Sequence, residues 1–191
     1  MSPDQIPIYT PEYSRCPQLN GTPHVRRVSS GLVAKFFTMY EYNIDEVGDS
    51  EEGRKENEEA RRYGIQKLEN EYLMLKAVYD AGVSVPKPEG IFFVPVLRRG
   101  TLNYLRKRKF LAPGILMQYI EGIPLNRLRG KRLSEVADLH HKEVRKCKIA
   151  GFDPRDTLDR NAIYNPLENK VYLVDVENWL TREPANPLLL P

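Results

Sequence analysis

The first part of the chain combines short apolar runs with one longer periodic stretch. The apolar runs span residues 32–37, 91–97 and 115–119, and a further short segment at 25–28 has valine at both ends and two arginines between them. Polar, glycine or proline residues bound these runs, which favours β-strands. Between residues 65 and 79 the apolar positions recur every three or four residues, which predicts a helix with one buried face. Gly82 follows this stretch and indicates where the helix ends.

A second helical stretch follows a connector at residues 120–122 and lies near residues 133–148. The side chains expected to line a core from this helix are Leu133, Val136, Ala137, Leu139, His140 and Val144. A turn through Asn165-Pro166 then leads to an apolar strand ending at Val174, and the tail 182–191 predicts no regular element. The expected fold class is therefore α+β, with a small antiparallel sheet and one helix in residues 1–119 and a mostly helical part in residues 120–191.

One lysine interrupts the apolar run at residues 32–37. Burial of an unpaired ammonium is costly, so Lys35 requires an anionic partner, either a carboxylate or a phosphate. Glu71 lies three positions after Leu68 and four before Leu75, beside the apolar stripe of the predicted helix. Glu71 is thus the carboxylate that we expect to face Lys35. The alternatives are a lysine that reaches water from an edge strand and a glutamate on a helix surface.

Three polar residues near the end of the chain have the spacing of a phosphoryl-transfer site. Asp156 and Asn161 lie five positions apart, and Asp175 follows the apolar strand that ends at Val174. Phosphoryl transfer needs oxygen ligands for Mg²⁺ and a carboxylate beside the attacking hydroxyl. Asp153 competes with Asp156 for the second role, and the spacing to Asn161 favours Asp156. The alternative interpretation is a solvated turn followed by an ordinary hairpin.

Several motifs in this order resemble the protein-kinase-like superfamily, and the chain is most similar to its RIO-like and aminoglycoside-phosphotransferase-like (fungal type) branches. The matching residues are Glu71, Ala81 to Pro88, Met117 to Gly122, Leu139-His140, Asp156, Asn161 and Asp175. The resemblance spans roughly residues 25–180. It implies a two-lobed fold, with an N-lobe at residues 1–119 that carries an acidic insertion at 45–59, and a truncated C-lobe at residues 120–191.

The resemblance also implies an ATP- and Mg²⁺-dependent phosphotransferase whose acceptor hydroxyl is unknown. Lys35 would hold nucleotide phosphates, with Glu71 orienting it. The backbone of Gln118, Tyr119 and Ile120 would meet the adenine. Asp156 would be the catalytic residue, and Asn161 with Asp175 would bind the metal.

The chain departs from the family in four places. No G-x-G-x-x-G loop precedes Lys35, Pro154 stands where the family has histidine, Glu177 replaces the glycine after the metal-binding aspartate, and 16 residues follow Asp175. A peptide-binding platform is therefore not expected. These departures keep two alternatives open: an inactive kinase-fold protein that binds nucleotide or acts as a scaffold, and an RNA-associated basic protein with a kinase-like core.

Composition and charge add little to these alternatives. Hydrophobic residues make up 41% of the chain, which is enough for a core, and the net charge is +3. A basic segment from Arg98 to Lys109 carries no acid, so it is a candidate contact for a polyanion. Two cysteines give no disulfide framework, and no long apolar span occurs, which favours a cytoplasmic or nuclear protein without a membrane segment.

Overall fold

The computed structural model describes residues 6–12, 18–19, 22–36, 51–97, 109–157 and 159–181. Several sequence-based expectations concern residues outside these ranges. They are the basic segment up to residue 108, the acidic insertion before residue 51, Cys16 and the tail from residue 182. The described residues form an α+β protein with antiparallel sheets and two long helices.

The chain divides into two compact units. The first comprises residues 1–72 and 89–119, and the second comprises residues 73–88 and 120–191. Residues 73–88, which the sequence placed with the first part, therefore belong with the second. Their hydrogen bonds explain this, because Ser84 N–H donates to Oε2 of Glu143 at 3.0 Å and Ser84 C=O accepts from Leu173 N–H at 2.9 Å.

The first unit contains a five-stranded sheet in the order β1-β2-β3-β5-β4. Its strands are β1 Gln18–Leu19, β2 Thr22–Arg27, β3 Leu32–Phe36, β4 Pro88–Leu97 and β5 Lys109–Gln118. Strand β3 pairs antiparallel with both β2 and β5. The four strands expected from the apolar runs are thus present, and β4 and β5 begin earlier than the apolar residues indicated. Val28, Ala34, Val94 and Leu116 form the centre of the buried core.

Helix α1 spans Glu51–Asp80 and contains the periodic stretch at residues 65–79. It begins earlier than the apolar pattern, within the acidic segment, where carboxylates favour a helix N-terminus. Its end agrees with the sequence. Gly82 has φ of 79°, its N–H donates to Tyr79 C=O at 2.9 Å, and Val83 N–H donates to Val78 C=O at 3.3 Å. This pair of bonds is the Schellman motif, which needs a residue with positive φ and so favours glycine.

The second unit contains helix α2, Gly130–Ile149, and two small sheets, β6-β8-β9 and β7-β10. The strands are β6 Ile123–Pro124, β7 Phe152–Asp153, β8 Ala162–Asn165, β9 Lys170–Leu173 and β10 Leu180–Thr181. Short 3-10 helices span Leu125–Arg127 and Asp159–Asn161. This part therefore holds more strand than the mostly helical part that the sequence indicated, because short apolar segments on both sides of the turn after Asn165 pair with each other.

The buried face of α2 differs from the expected one. Val136, His140, Glu143 and Cys147 are buried at intervals of three and four residues. Leu133, Ala137, Leu139 and Val144 are only half-buried. Val136 and His140 are thus buried as expected, and the apolar pattern did not show the rest of the face, because a glutamate and a cysteine occupy its other two buried positions.

Candidate functional site

Lys35 and Glu71 form an ion pair in the first unit. The Lys35 Nζ lies 2.6 Å from Oε1 of Glu71, and the two side chains are 14% and 9% exposed. Strand β3 has neighbours on both sides, with Lys35 opposite Val25 on β2 and Ile115 on β5. Lys35 is therefore on an interior strand, and the alternative of an edge-strand lysine is wrong. The expected pairing of Lys35 with Glu71 is confirmed.

The apolar surroundings of this pair strengthen the attraction between its two charges. Val33, Ala34 and Phe36 beside Lys35 are buried, as are Leu68 and Leu75 beside Glu71. Attraction between opposite charges is larger where water is largely excluded, and either charge alone would be costly there. The sheet and helix α1 thus hold one ammonium group at a fixed position.

The segment expected to meet an adenine lies at the end of β5. Tyr119 N–H donates to Gly31 C=O at 2.8 Å, which extends the pairing of β5 with β3. The guanidinium of Arg27 lies 4.2 Å from the centroid of the Tyr119 ring. The Tyr119 N–H already donates within the first unit. A ligand could therefore use only the carbonyl of the Tyr119 backbone. Gln118 is exposed and Ile120 is buried.

The second unit places Asp156 in a tight loop before the 3-10 helix Asp159–Asn161. Asp156 has φ of 55°, in the left-handed region that few residues other than glycine, asparagine and aspartate adopt. The Asn161 Nδ2 donates to the Asp156 carbonyl at 2.9 Å. The Arg160 Nη2 lies 3.0 Å from Oδ2 and 3.2 Å from Oδ1 of Asp156. The loop thus holds both the backbone and the carboxylate of Asp156.

The β8–β9 hairpin brings Asn161 close to the segment that carries Asp175. Ala162 pairs with Leu173, and Val174 N–H donates to Asn161 C=O at 2.9 Å, so the next residue, Asp175, follows directly beyond this bond. Glu177 N–H donates to Oδ1 of Asp175 at 3.4 Å. The Asn161 side chain is thus bonded to the backbone of Asp156 and its carbonyl to the residue before Asp175, so the backbones of the three residues lie at one end of the hairpin.

Two of the predicted metal ligands at this end of the hairpin, Asn161 and Asp175, carry side-chain oxygen atoms. The Asn161 Nδ2 is used by the Asp156 carbonyl, which leaves the Asn161 Oδ1 as a potential ligand atom. Together with the Asp175 carboxylate it gives the hard oxygen donors that Mg²⁺ prefers, and Mg²⁺ usually takes only one or two carboxylates alongside waters and phosphates. A group of three or more histidine, cysteine, aspartate or glutamate side chains suited to a metal does not occur among the described residues.

The sequence interpretation missed two charged residues of the second unit, Arg160 and Glu143. Arg160 contacts Asp156, and the spacing of four residues between opposite charges was the available signal. Glu143 is 5% exposed, with Oε1 2.7 Å from Lys146 Nζ and Oε2 bonded to Ser84 N–H. It shares the helical face of Val136 and Cys147, but a charged residue on that face does not by itself predict burial.

His140 was expected to be a helix residue rather than a catalytic one, and it lies on the buried face of α2. Burial lowers the pKa of His140, and the neighbouring His141 lowers it further. The Asp159 carboxylate and a hydrogen bond with the backbone of Thr157 act in the opposite direction. Burial and His141 outweigh these two effects, so the pKa of His140 lies below its usual value.

Cys147, a free thiol, lies deeper on the same face of α2. Burial and the nearby Glu143 raise the pKa of Cys147 to about 12. The thiol therefore stays protonated at neutral pH and is a packing residue rather than a nucleophile.

Comparison of the sequence with protein-family models and with curated proteins gives no match. Among the described residues, no helix has both the length and the apolar character needed to cross a membrane.

Proposed function

We propose that this protein is an ATP- and Mg²⁺-dependent phosphotransferase with a two-lobed, protein-kinase-like fold. The observation that carries the proposal is the Lys35–Glu71 ion pair, with 2.6 Å between Nζ and Oε1 and the lysine on an interior strand. A lysine held in this way by a helix glutamate is the arrangement with which kinases grip nucleotide phosphates. The pair joins residues that lie 36 positions apart, so local sequence alone does not explain it.

The hairpin end in the second unit supports the same reaction. Asp156 offers a carboxylate to an acceptor hydroxyl, while Asn161 and Asp175 offer oxygen atoms to Mg²⁺. When bound, the metal would neutralise charge on the nucleotide phosphates. The residues of this chain would then have separate tasks: Lys35 binds phosphate oxygens, Glu71 orients the lysine, and Asp156 orients the acceptor hydroxyl and receives its proton.

Nucleotide binding is tested by thermal unfolding with and without Mg-ATP. A ligand present at 100 times its dissociation constant stabilises the folded protein by about 2.7 kcal/mol, so the unfolding temperature should rise. We expect Asp175→Asn to lose most of the rise that depends on Mg²⁺, and the exposed Glu177→Gln, two positions away, to keep it. An unchanged unfolding temperature of the wild-type chain at millimolar Mg-ATP would contradict the proposal.

Transfer itself is tested with ATP that carries a radiolabelled γ-phosphate. We expect the wild-type chain to move the label to water or to its own side chains. Asp156→Asn should lower this turnover by about 100-fold or more while the Mg-ATP thermal shift remains. That separation of binding from turnover would identify Asp156 as a catalytic residue.

A nucleotide-binding protein of the same fold without transferase activity is the second candidate. The observation that favours it is the contact of Arg160 with both carboxylate oxygens of Asp156, which an acceptor hydroxyl would have to share. A thermal shift with Mg-ATP that is accompanied by no transfer would favour this candidate over the phosphotransferase.

A further inference from the structure

The carboxylate of Asp156 has one partner side chain among the described residues, and that partner is Arg160. The Arg160 Nη2 contacts both carboxylate oxygens, at 3.0 and 3.2 Å. The two side chains are 61% and 36% exposed, so the pair lies at the surface of the second unit. An exposed ion pair contributes little to the stability of a fold. Stability alone therefore gives no strong reason for this contact.

The contact has a consequence for geometry instead. The backbone of Asp156 is already fixed by its positive φ and by the bond from Asn161 Nδ2 to its carbonyl. The remaining freedom of Asp156 is rotation of its side chain, and the guanidinium of Arg160 restricts it. Arg160 and Asn161 are neighbours in the 3-10 helix Asp159–Asn161, so the same short helix carries both restraints.

We infer that Arg160 is a positioning residue for Asp156 in the proposed phosphoryl transfer, and this inference rests on the proposed function. In that reaction the acceptor oxygen forms a bond to the γ-phosphorus of ATP, the bond from that phosphorus to the bridging oxygen breaks, and ADP leaves. The acceptor proton passes to the Asp156 carboxylate. By holding that carboxylate in one orientation, Arg160 keeps an oxygen directed at the hydroxyl, and misplacement of such a group is costly for turnover.

Arg155 offers a matched control within the same loop. It is 56% exposed, close to the exposure of Arg160, but its Nε lies 3.5 Å from Oδ2 of Asp153 rather than on Asp156. Arg155→Ala and Arg160→Ala therefore remove the same charge from the same exposed loop. Only the second removes the partner of Asp156.

The kinetic test measures transfer of radiolabelled γ-phosphate at saturating Mg-ATP. We expect Arg160→Ala to lower kcat by about 10- to 100-fold, with the KM for Mg-ATP changed by less than about twofold. Added guanidinium ion should restore part of the lost turnover in Arg160→Ala, because the site is open to solvent, and urea should restore none. Arg160→Lys should retain an intermediate rate, and Arg155→Ala should retain the wild-type rate.

A second measurement needs no nucleotide. NMR of the guanidinium nitrogens in the ligand-free protein should show restricted rotation for Arg160. Asp156→Asn should release that restriction, while Asp153→Asn should leave it in place. This readout reports the contact itself and does not depend on the identity of the acceptor.

Equal loss of turnover in Arg155→Ala and Arg160→Ala would overturn the role of Arg160 and leave the phosphotransferase intact. A loss confined to the KM for Mg-ATP, or free rotation of the Arg160 guanidinium in the wild-type chain, would overturn it as well. A wild-type chain that transfers no phosphate would contradict the phosphotransferase itself and, with it, any role of Arg160 in transfer.

Discussion

Lys35 and Glu71 stabilise each other because neither charge is well hydrated. Their side chains are 14% and 9% exposed, so removal of one leaves the other in a poorly solvated position. We expect Lys35→Met to lower the free energy of unfolding by about 3 kcal/mol. Glu71→Leu should have a similar effect, for the same reason. Urea unfolding followed by circular dichroism measures both.

The double variant distinguishes charge pairing from simple loss of packing. Lys35→Met combined with Glu71→Leu removes both charges, so it should be less destabilised than the sum of the single variants. Additive effects would mean that the two charges do not depend on each other. Lys76→Met provides the control, since Lys76 pairs with Asp80 at the surface, where both side chains are about half exposed, and should change stability by less than about 1 kcal/mol.

Whether the sequence predicted a residue correctly depended on what surrounded it. Lys35 and Glu71 were predictable because each is a charge within a strongly apolar pattern, and the cost of burial points to a partner. Glu143 and Arg160 were not. Glu143 is buried and accepts a hydrogen bond from the backbone of Ser84, which lies 59 positions earlier. Any residue except proline can donate such a bond, so the residue type at position 84 does not predict it.

Gly122 shows why the connector after β5 requires a residue without a side chain. A Cβ at this position would lie 2.7 Å from Cγ2 of Ile163 and 2.9 Å from the carbonyl carbon of Tyr164, on strand β8. Because β8 is paired on both sides, by β6 and β9, it has little room to move away. Close approach of backbones, rather than positive φ, thus explains this glycine.

We expect Gly122→Ala to lower the free energy of unfolding by about 2 kcal/mol, since the added methyl group overlaps backbone and side-chain atoms of β8. Gly31→Ala is the control, because a Cβ at Gly31 meets no atom within 4 Å, and it should change stability by less than about 0.5 kcal/mol. Equal effects in the two variants would show that the steric explanation is wrong. Thermal and urea unfolding of both proteins give the comparison.

The existence of the elements was more predictable than their ends. Both long helices and four of the five strands of the first sheet follow from the apolar pattern, and the end of α1 follows from Gly82. The beginning of α1 at Glu51 did not follow from apolar periodicity, because its first turns carry acidic residues without an apolar stripe; the favourable placement of acids at a helix N-terminus was the signal that extended it. In the second unit the strand β9 was expected from its apolar residues, whereas the other short strands were missed because two to four residues are too few to show a period.

The second unit is assembled from distant parts of the chain. Ser84 joins α2 to β9, since its N–H donates to Glu143 and its carbonyl accepts from Leu173. The side-chain hydroxyl of Ser84 is buried without a hydrogen-bond partner among the described residues. The backbone of this residue therefore matters to the unit, and its side chain does not.

From this we expect Glu143→Leu to lower the free energy of unfolding by about 2 kcal/mol, because it leaves the buried Ser84 N–H without an acceptor. Ser84→Ala should have no effect or should stabilise slightly, since it removes an unpaired buried hydroxyl. Urea titrations of both variants test the pair of expectations. A large loss in Ser84→Ala would mean that the hydroxyl has an unrecognised partner, and a neutral Glu143→Leu would remove the proposed link.

The sequence did not predict that residues 73–88 belong to the second unit, because this too depends on hydrogen bonds between distant parts of the chain. The segment follows α1 without a break and precedes β4, so its order along the chain places it with the first sheet. Ser84 instead forms hydrogen bonds with Glu143 and Leu173, which lie 59 and 89 positions later in the chain. A local sequence pattern does not predict pairing over such distances.

The strand order of the first sheet bears on how the polypeptide acquires its structure during translation. Strand β5 lies between β3 and β4 although it is the last of the five to leave the ribosome. Ser84 likewise emerges long before Glu143 and Leu173. Neither unit can therefore be completed before its last segment is synthesised, and such nonlocal pairing favours slower folding than local pairing would.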